Sequence, residues 1–104
     1  MGLNKIFISS DHAGFNLKKN IIQKFSKNQK IIDLGPSSHK SVDYPDYARK
    51  LSKKVSSNSR SFGILICGSG TGMTISANKN KKIRAALCYS VKNTKLSRLH
   101  NNAN

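Results

Sequence analysis

Short apolar runs alternate with segments of helical periodicity along the whole chain, and this alternation constrains the fold more than any other feature. Four runs have the length and composition of strands: Lys5–Ser9, Lys30–Leu34, Phe62–Cys67 and Arg84–Cys88. The third is a continuous apolar run, which is typical of a strand buried on both faces of a parallel sheet. Strands that alternate with helices predict a parallel α/β sheet with right-handed crossovers. We therefore expect a three-layer, Rossmann-like sheet flanked by helices, with four strands present.

The first helix is expected over Phe15–Phe25 and is amphipathic. Its apolar side chains share one face, which we expect to pack on the sheet: Leu17, Ile21, Ile22 and Phe25. Its lysines lie on the opposite face: Lys18, Lys19 and Lys24.

Three more helices are expected. The second begins near Pro45, a residue favoured in the first turn of a helix, and extends through Val55. A short third helix follows a glycine-rich turn and reaches about Asn78, and the fourth spans Val91–His100. We expect residues 1–104 to form a single domain. A helix followed by a few polar residues should lead into another strand, and such sheets usually have five or more strands. We therefore expect that a fifth strand is missing at the C-terminal end of this domain.

Composition is that of a globular protein from a reducing compartment. The 104 residues are 37% hydrophobic, which is enough for one core. No apolar run has the length of a membrane span. The two cysteines, Cys67 and Cys88, form no disulfide framework, which favours a cytoplasmic location.

The formal net charge of +15 raises polyanions as possible partners. Of the 19 basic residues, however, 15 are lysines and only four are arginines, and base readout favours arginine. The lysines are also scattered from Lys5 to Lys95. We interpret the charge as mostly solvated surface and nucleic acid as a disfavoured partner. Nonspecific polyanion binding by an inactive fragment is the alternative.

Two loops at the carboxyl ends of strands contain the residues best suited to chemistry. Ser9–Gly14 follows the first strand and Cys67–Gly72 follows the third, and ligands of open α/β sheets bind at this edge. If these two strands are neighbours, both loops face one crevice. The glycines at 68, 70 and 72 let backbone N–H groups converge on a phosphate or an oxyanion. A plain tight turn is the alternative, and the pattern is neither a dinucleotide fingerprint nor a P-loop.

Taken singly, the reactive side chains allow more than one interpretation. Cys67 ends a strand at the glycine-rich turn and suits a base or nucleophile, although an inert buried cysteine is the commoner case. Cys88 has no glycine turn behind it and is interpreted as inert. Asp11 also suits a helix cap, and His12 and His100 also suit surface or capping positions. The cysteines lack the spacing of a zinc site, so no metal is expected.

Five segments taken together are far more specific than any single residue: Ser10-Asp11-His12-Ala13-Gly14, Asp43-Tyr44-Pro45-Asp46-Tyr47-Ala48, Gly63 to Gly72, Ala77-Asn78-Lys79, and Ser97 to Asn104. In this order and spacing they strongly resemble the ribose-5-phosphate isomerase B family. The relatives of that family include allose-6-phosphate and galactose-6-phosphate isomerases. The resemblance runs from the first strand to the last residue.

The resemblance implies an enzyme that interconverts an aldose phosphate and a ketose phosphate through an enediolate, without metal or cofactor. It implies that Cys67 takes the C2 proton, that Ser69 assists it, and that His100 opens the sugar ring. The substrate contacts that it implies come from four side chains and the glycine-rich turn: Asp11, His12, Tyr44 and Asn101, with Gly68, Ser69, Gly70, Thr71 and Gly72. It also implies a homodimer or tetramer whose sites use both subunits.

The sequence departs from the family pattern in two places. Some members have a glutamate base at the position of Met73, and this chain contains no glutamate, so the resemblance leaves Cys67 as the base. Relatives also continue past the position of Asn104 with a fifth strand, a long helix and phosphate-binding arginines. We therefore expect weak activity and a tendency to associate. Ribose 5-phosphate is the expected substrate, and a hexose 6-phosphate is the alternative that the sequence does not separate.

Overall fold

The computed structural model describes residues 4–104, which form a three-stranded parallel sheet and four helices. The strands are β1 (Lys5–Ser10), β2 (Lys30–Asp33) and β3 (Ser61–Ile66). The helices are α1 (Phe15–Phe25), α2 (Tyr44–Ser57), α3 (Thr71–Ala77) and α4 (Val91–Asn101). The expected Rossmann-like fold class is confirmed. Within the described range, no helix combines the length and the apolar character that crossing a membrane requires.

β1 is the central strand of the sheet, whose order is β2-β1-β3. Both pairs are parallel, with Lys5 opposite Lys30 on one side and opposite Ser61 on the other. The carboxyl ends of β1 and β3 therefore lie next to each other, as a shared crevice requires. α1 packs on one face, while α2 and α3 contact each other and pack against β3 on the other face, as right-handed crossovers require.

The main hydrophobic core lies between the sheet and the α2–α3 pair. Its buried members come from β1, the residue after β2, both helices and the segment that follows α3: Phe7, Leu34, Leu51, Val55, Ala77 and Ile83. Because α2 and α3 share this core, the N-termini of both helices are held at the carboxyl edge of the sheet, beside the two loops.

The fourth strand predicted over Arg84–Cys88 is not formed. A strand needs a neighbour at pairing distance, and this segment is not adjacent to β3. Asn104 lies between them: its carbonyl accepts from Gly63 N–H at 2.8 Å, and its own N–H donates to the Arg84 carbonyl at 3.1 Å. Residues 84–88 therefore lie one strand's width beyond β3. A largely apolar cleft of about 540 Å3, lined by β3, α3, α4 and residues 83–88, occupies this region.

The buried surface of α1 matches the predicted face only in part, since Ile21 and Ile22 are half-buried but the other two residues are not. Leu17 and Phe25 are 53% and 45% exposed, and Leu17 lines the cleft beside β3 instead of packing in the core. The buried residues of the helix are Phe15 and Lys18. The prediction for Lys18 was wrong because its ammonium group has oxygen partners beneath the loop that follows β2.

Candidate active site

The loop after β1 lies directly against the end of β3. Asp11 N–H donates to the Ile66 carbonyl at 3.0 Å, and Asp11 Oδ1 accepts from Gly14 N–H at 2.9 Å. Gly14 permits this approach, because a Cβ there would lie 2.6 Å from the same carbonyl oxygen. The buried Asp11 side chain thus fixes the entry into α1, which is the structural role that the sequence left open beside substrate contact.

Cys67 Sγ lies inside the glycine-rich turn between β3 and α3. Gly70 N–H donates to this sulfur at 3.0 Å, and Thr71 N–H donates to Ser69 Oγ at 3.3 Å. Gly70 makes the turn possible, since its φ of 82° is a left-handed conformation that glycine adopts without strain. The half-buried sulfur therefore has a position fixed by a backbone donor.

The turn and the loop after β1 contact each other. A Cβ on Gly68, the residue after Cys67, would lie 4.0 Å from the Cβ of Ala13, the residue after His12. The two loops therefore border one crevice. Cys88 is exposed, and its thiol donates to the Ala86 carbonyl at 3.5 Å. The burial that is typical of an inert cysteine is therefore not observed at this position.

The segment before α2 connects the two loops through His12 and Tyr44. Val42 N–H donates to His12 Nδ1 at 3.3 Å. Two residues later, the Tyr44 ring lies so close to Gly72 that a Cβ there would be 2.7 Å from Tyr44 Cε1. A ring nitrogen that accepts a hydrogen bond carries no proton, so the proton of neutral His12 is on Nε2, where it can be donated to an anionic or hydroxyl ligand.

His100 and Asn101 lie at the end of α4, and the structure does not join them to either loop. Both side chains are exposed, and within residues 4–104 neither forms a hydrogen bond with residues 9–14 or 67–72. The α4 backbone packs against none of the other described helices or strands. Arg84 Nε holds the Asn101 carbonyl at 2.5 Å. These two predicted site residues therefore stand apart from the others.

Val42 was missed by the sequence analysis. It acts through its backbone N–H, and a backbone donor has no signature in the residue type. The only available signal was its place two residues before Tyr44, which becomes informative once His12 is known to lie beside this segment.

The crevice brings together a thiol, an imidazole N–H and several backbone N–H groups, which suits proton transfer next to an anionic group. Met73 is 1% exposed and is part of the protein interior. In the described part of the chain, no group of three or more His, Cys, Asp or Glu side chains is placed to hold a metal ion.

Comparisons with known proteins agree with this arrangement. The model of the ribose/galactose isomerase family matches residues 6–104. A probable ribose-5-phosphate isomerase B of Mycoplasma genitalium is 47% identical over 102 residues, which make up 95% of this chain and 67% of that protein. The crystal structure of a ribose 5-phosphate isomerase from Thermotoga maritima is 49% identical and superposes with a TM-score of 0.93, covering 97% of this chain and 70% of that one.

A second solved structure contains a ligand. It is ribose-5-phosphate isomerase B from Mycoplasma genitalium with bound ribulose-5-phosphate, 46% identical with a TM-score of 0.91 over 96% of this chain and 68% of that one. The chain thus spans roughly two thirds of the length of these relatives. The match of the family model, the sequence identities and the shared fold establish that the chain belongs to the ribose/galactose isomerase family.

Proposed function

We propose that the chain interconverts ribose 5-phosphate and ribulose 5-phosphate through an enediolate, with Cys67 as the base. The observation that carries this proposal is the position of Cys67 Sγ, held by Gly70 N–H at 3.0 Å in a turn that contacts the loop bearing His12. The choice of a pentose phosphate is supported by a relative whose structure contains ribulose-5-phosphate. Both cysteines are free thiols, which supports a reducing, cytoplasmic location for such an enzyme.

The chemical step is a proton transfer between neighbouring carbons. The Cys67 thiolate takes the C2 proton of the open-chain aldose, the C2–H electron pair forms the C1–C2 double bond, and the aldehyde oxygen takes the negative charge. Cys67 then returns the proton to C1, while the proton of the C2 hydroxyl moves to the oxygen on C1. The product is the ketose, and the step needs no other oxidant or reductant.

Backbone donors of the glycine-rich turn stabilise the enediolate. Gly70 N–H donates to the sulfur and Thr71 N–H donates to Ser69 Oγ. The N–H groups of Gly68, Ser69 and Gly72 therefore stabilise the negative charge. Removing one donor of this kind typically costs about 3 kcal/mol of transition-state stabilisation. On the opposite side of the crevice, His12 Nε2–H, Tyr44 and Asp11 hold the hydroxyl and phosphate groups of the sugar.

His100 opens the sugar ring and Asn101 contacts the substrate, both in the site of a second copy of the chain. Their side chains are exposed and unconnected to the two loops of their own described chain, which suits residues that complete a site across an interface. An imidazole fits ring opening because it can act as an acid and as a base near neutral pH. A homodimer, alone or within a tetramer, would place them there.

Replacement of Cys67 is the direct test. Cys67→Ala should lower kcat for ribose 5-phosphate by about a hundredfold or more, while calorimetry should still detect binding of ribulose 5-phosphate. Cys88→Ala is the matched control and should isomerise at the wild-type rate. Retained turnover in Cys67→Ala would remove Cys67 as the base. Faster turnover of a hexose 6-phosphate would favour the alternative substrate, and no turnover combined with salt-sensitive polyanion binding would favour the alternative of an inactive fragment.

Mixing two variants that are each nearly inactive toward cyclic ribose 5-phosphate, and assaying the mixture with that substrate, tests the shared site. If Cys67 and His100 act in one site from different subunits, equal mixing of Cys67→Ala with His100→Asn produces mixed dimers that each contain one intact site. Random exchange should then restore about a quarter of the wild-type activity. Native mass spectrometry shows whether the subunits have exchanged. A mixture that has exchanged and is still inactive would place both residues in the site of one chain.

A further inference from the structure

Lys18 is the largest fully buried side chain among residues 4–104, with an exposure of 0%. Its Nζ donates to Asp33 Oδ1 at 2.7 Å and to the Pro36 carbonyl at 2.6 Å, and lies 5.2 Å from the centre of the Phe15 ring. Burying an ammonium group is costly, and an apolar side chain of similar volume would fill the space without that cost. Packing alone therefore does not account for a lysine at this position.

The Lys18 ammonium holds the beginning of the β2–α2 loop, which we define as residues 34–43. Asp33 Oδ1, its ion-pair partner, also accepts from Gly35 N–H at 2.8 Å. The Gly35 carbonyl in turn accepts from Ser9 Oγ at 2.8 Å. The beginning of the loop is thus tied both to α1 and to the end of β1.

The remainder of the β2–α2 loop runs over the start of α1 and into the crevice. The His39 ring packs edge-on against Phe15, with 4.4 Å between the ring centres. Val42 N–H then reaches His12 Nδ1, and the loop delivers Tyr44 to the glycine-rich turn. Lys18 therefore holds one end of the loop, and the other end of the loop fixes the positions of His12 and Tyr44 in the crevice.

We propose that Lys18 is a positioning residue for substrate binding. Its ammonium group holds the β2–α2 loop in the path that keeps His12 in the Nε2–H form and keeps Tyr44 against the turn. Because Lys18 is fully buried, it acts through the loop and does not touch the substrate. The identity of the substrate as a sugar phosphate rests on the proposed function, whereas the effect of Lys18 on His12 does not.

The variant Lys18→Met tests this role, because methionine fills similar space and removes both donated hydrogen bonds. Lys24→Met is the matched control, since it removes one positive charge from an exposed position of the same helix. In Lys18→Met the KM for ribose 5-phosphate should rise about tenfold, as the loss of one net hydrogen bond implies, with kcat changed by less than about twofold. Lys24→Met should leave both values unchanged.

Nitrogen NMR of the His12 ring measures the effect of Lys18 on the tautomer of His12 and does not depend on turnover. The wild-type protein should show an unprotonated Nδ1 and a protonated Nε2, and Lys18→Met should show the averaged shifts of two exchanging tautomers. If the wild type isomerises no sugar phosphate but the His12 shifts still respond to Lys18→Met, the proposed function fails while the role of Lys18 in holding His12 stands.

Two results would overturn the proposal: unchanged KM with unchanged His12 shifts in a folded Lys18→Met protein, or a loss confined to kcat. If Lys18→Met does not fold, Asp33→Asn takes its place, because the amide keeps an acceptor for Lys18 and removes the countercharge. The same rise in KM and the same averaging of the His12 shifts are then expected. A folded Asp33→Asn protein with wild-type values would also overturn it.

Discussion

Gly14, in the loop after β1, lies tightly against Ile66 at the end of β3, and replacing it with alanine measures how firmly this loop is packed there. A Cβ at this position would lie 2.6 Å from both the carbonyl oxygen and Cγ2 of Ile66, about 0.8 Å inside the 3.4 Å at which ordinary contact begins. The φ of Gly14 is −91°, which alanine also adopts. The effect of the substitution is therefore steric, and the backbone carbonyl cannot rotate away as a side chain could.

Overpacking of this kind costs about 1–3 kcal/mol. Alanine also reduces the conformational freedom of the unfolded chain, which returns about 0.4–1 kcal/mol. We therefore expect Gly14→Ala to lower the free energy of unfolding by about 1–2 kcal/mol, which leaves a domain of ordinary stability folded. The loop after β1 must move away from the end of β3 to relieve the contact, and a displacement near 1 Å between His12 and Cys67 should lower kcat/KM by about a hundredfold.

Urea denaturation followed by circular dichroism gives the free energy of unfolding, and initial rates give kcat/KM. Gly68→Ala is the control for stability, since its Cβ would lie 4.0 Å from the Cβ of Ala13 in ordinary contact. It should change the free energy of unfolding by less than about 0.5 kcal/mol. A Gly14→Ala protein with wild-type stability and turnover would show that the loop after β1 does not pack tightly on the end of β3, and the shared crevice would have to be abandoned.

Three further changes test other parts of the molecule. His100→Asn should lower the initial rate with cyclic ribose 5-phosphate by about a hundredfold and with open-chain ribulose 5-phosphate by less than about threefold; equal losses would argue against ring opening. Ser90→Ala should lower the free energy of unfolding in urea by about 1 kcal/mol, because Ser90 Oγ accepts from Asn93 N–H at 3.0 Å at the start of α4; a shift below about 0.3 kcal/mol would contradict this cap. Extending the chain past Asn104 with a family-like strand and helix should raise solubility, thermal midpoint and turnover together. The reason is that the Asn104 backbone already forms hydrogen bonds both with β3 and with Arg84, beside the apolar cleft. An unchanged thermal midpoint in scanning calorimetry would refute that reasoning.

β3 and the turn that follows it could be predicted from the sequence because both signals are local. A continuous apolar run ended by alternating glycines allows few structures, and the observed strand Ser61–Ile66 differs from the predicted one by a single residue at each end. The left-handed Gly70 is one of those glycines. Local signals of this kind also indicated the order of the elements and, with it, the parallel sheet.

The strand predicted over Arg84–Cys88 shows what local sequence signals cannot predict, namely the pairing partner of a strand. The run has the composition of a strand, but a strand exists only as part of a ladder, and its pairing depends on what lies next to it in space. Here Asn104, far along the chain, occupies the position beside β3. The spacing of residues 84–88 contains no information about that neighbour.

Lys18 was misplaced for a related reason. Helical periodicity sorts residues into apolar and polar faces, so a lysine among lysines is assigned to solvent. Its burial depends on Asp33 and on the Pro36 carbonyl, which lie 15 and 18 residues further along the chain. The resemblance to a family identified candidate chemical groups, but it could not show which groups hold them in place.

The structure divides the crevice into two mechanical parts. Lys18 and His12 belong to the first part, in which the start of α1 holds the β2–α2 loop. Cys67 belongs to the second, the glycine-rich turn between β3 and α3. The parts meet where Gly14 contacts the end of β3 and where Gly72 contacts the ring of Tyr44 at the start of α2. It follows that substitutions within the first part should act mainly on KM and those within the second mainly on kcat, whereas substitutions at the two meeting points should change both.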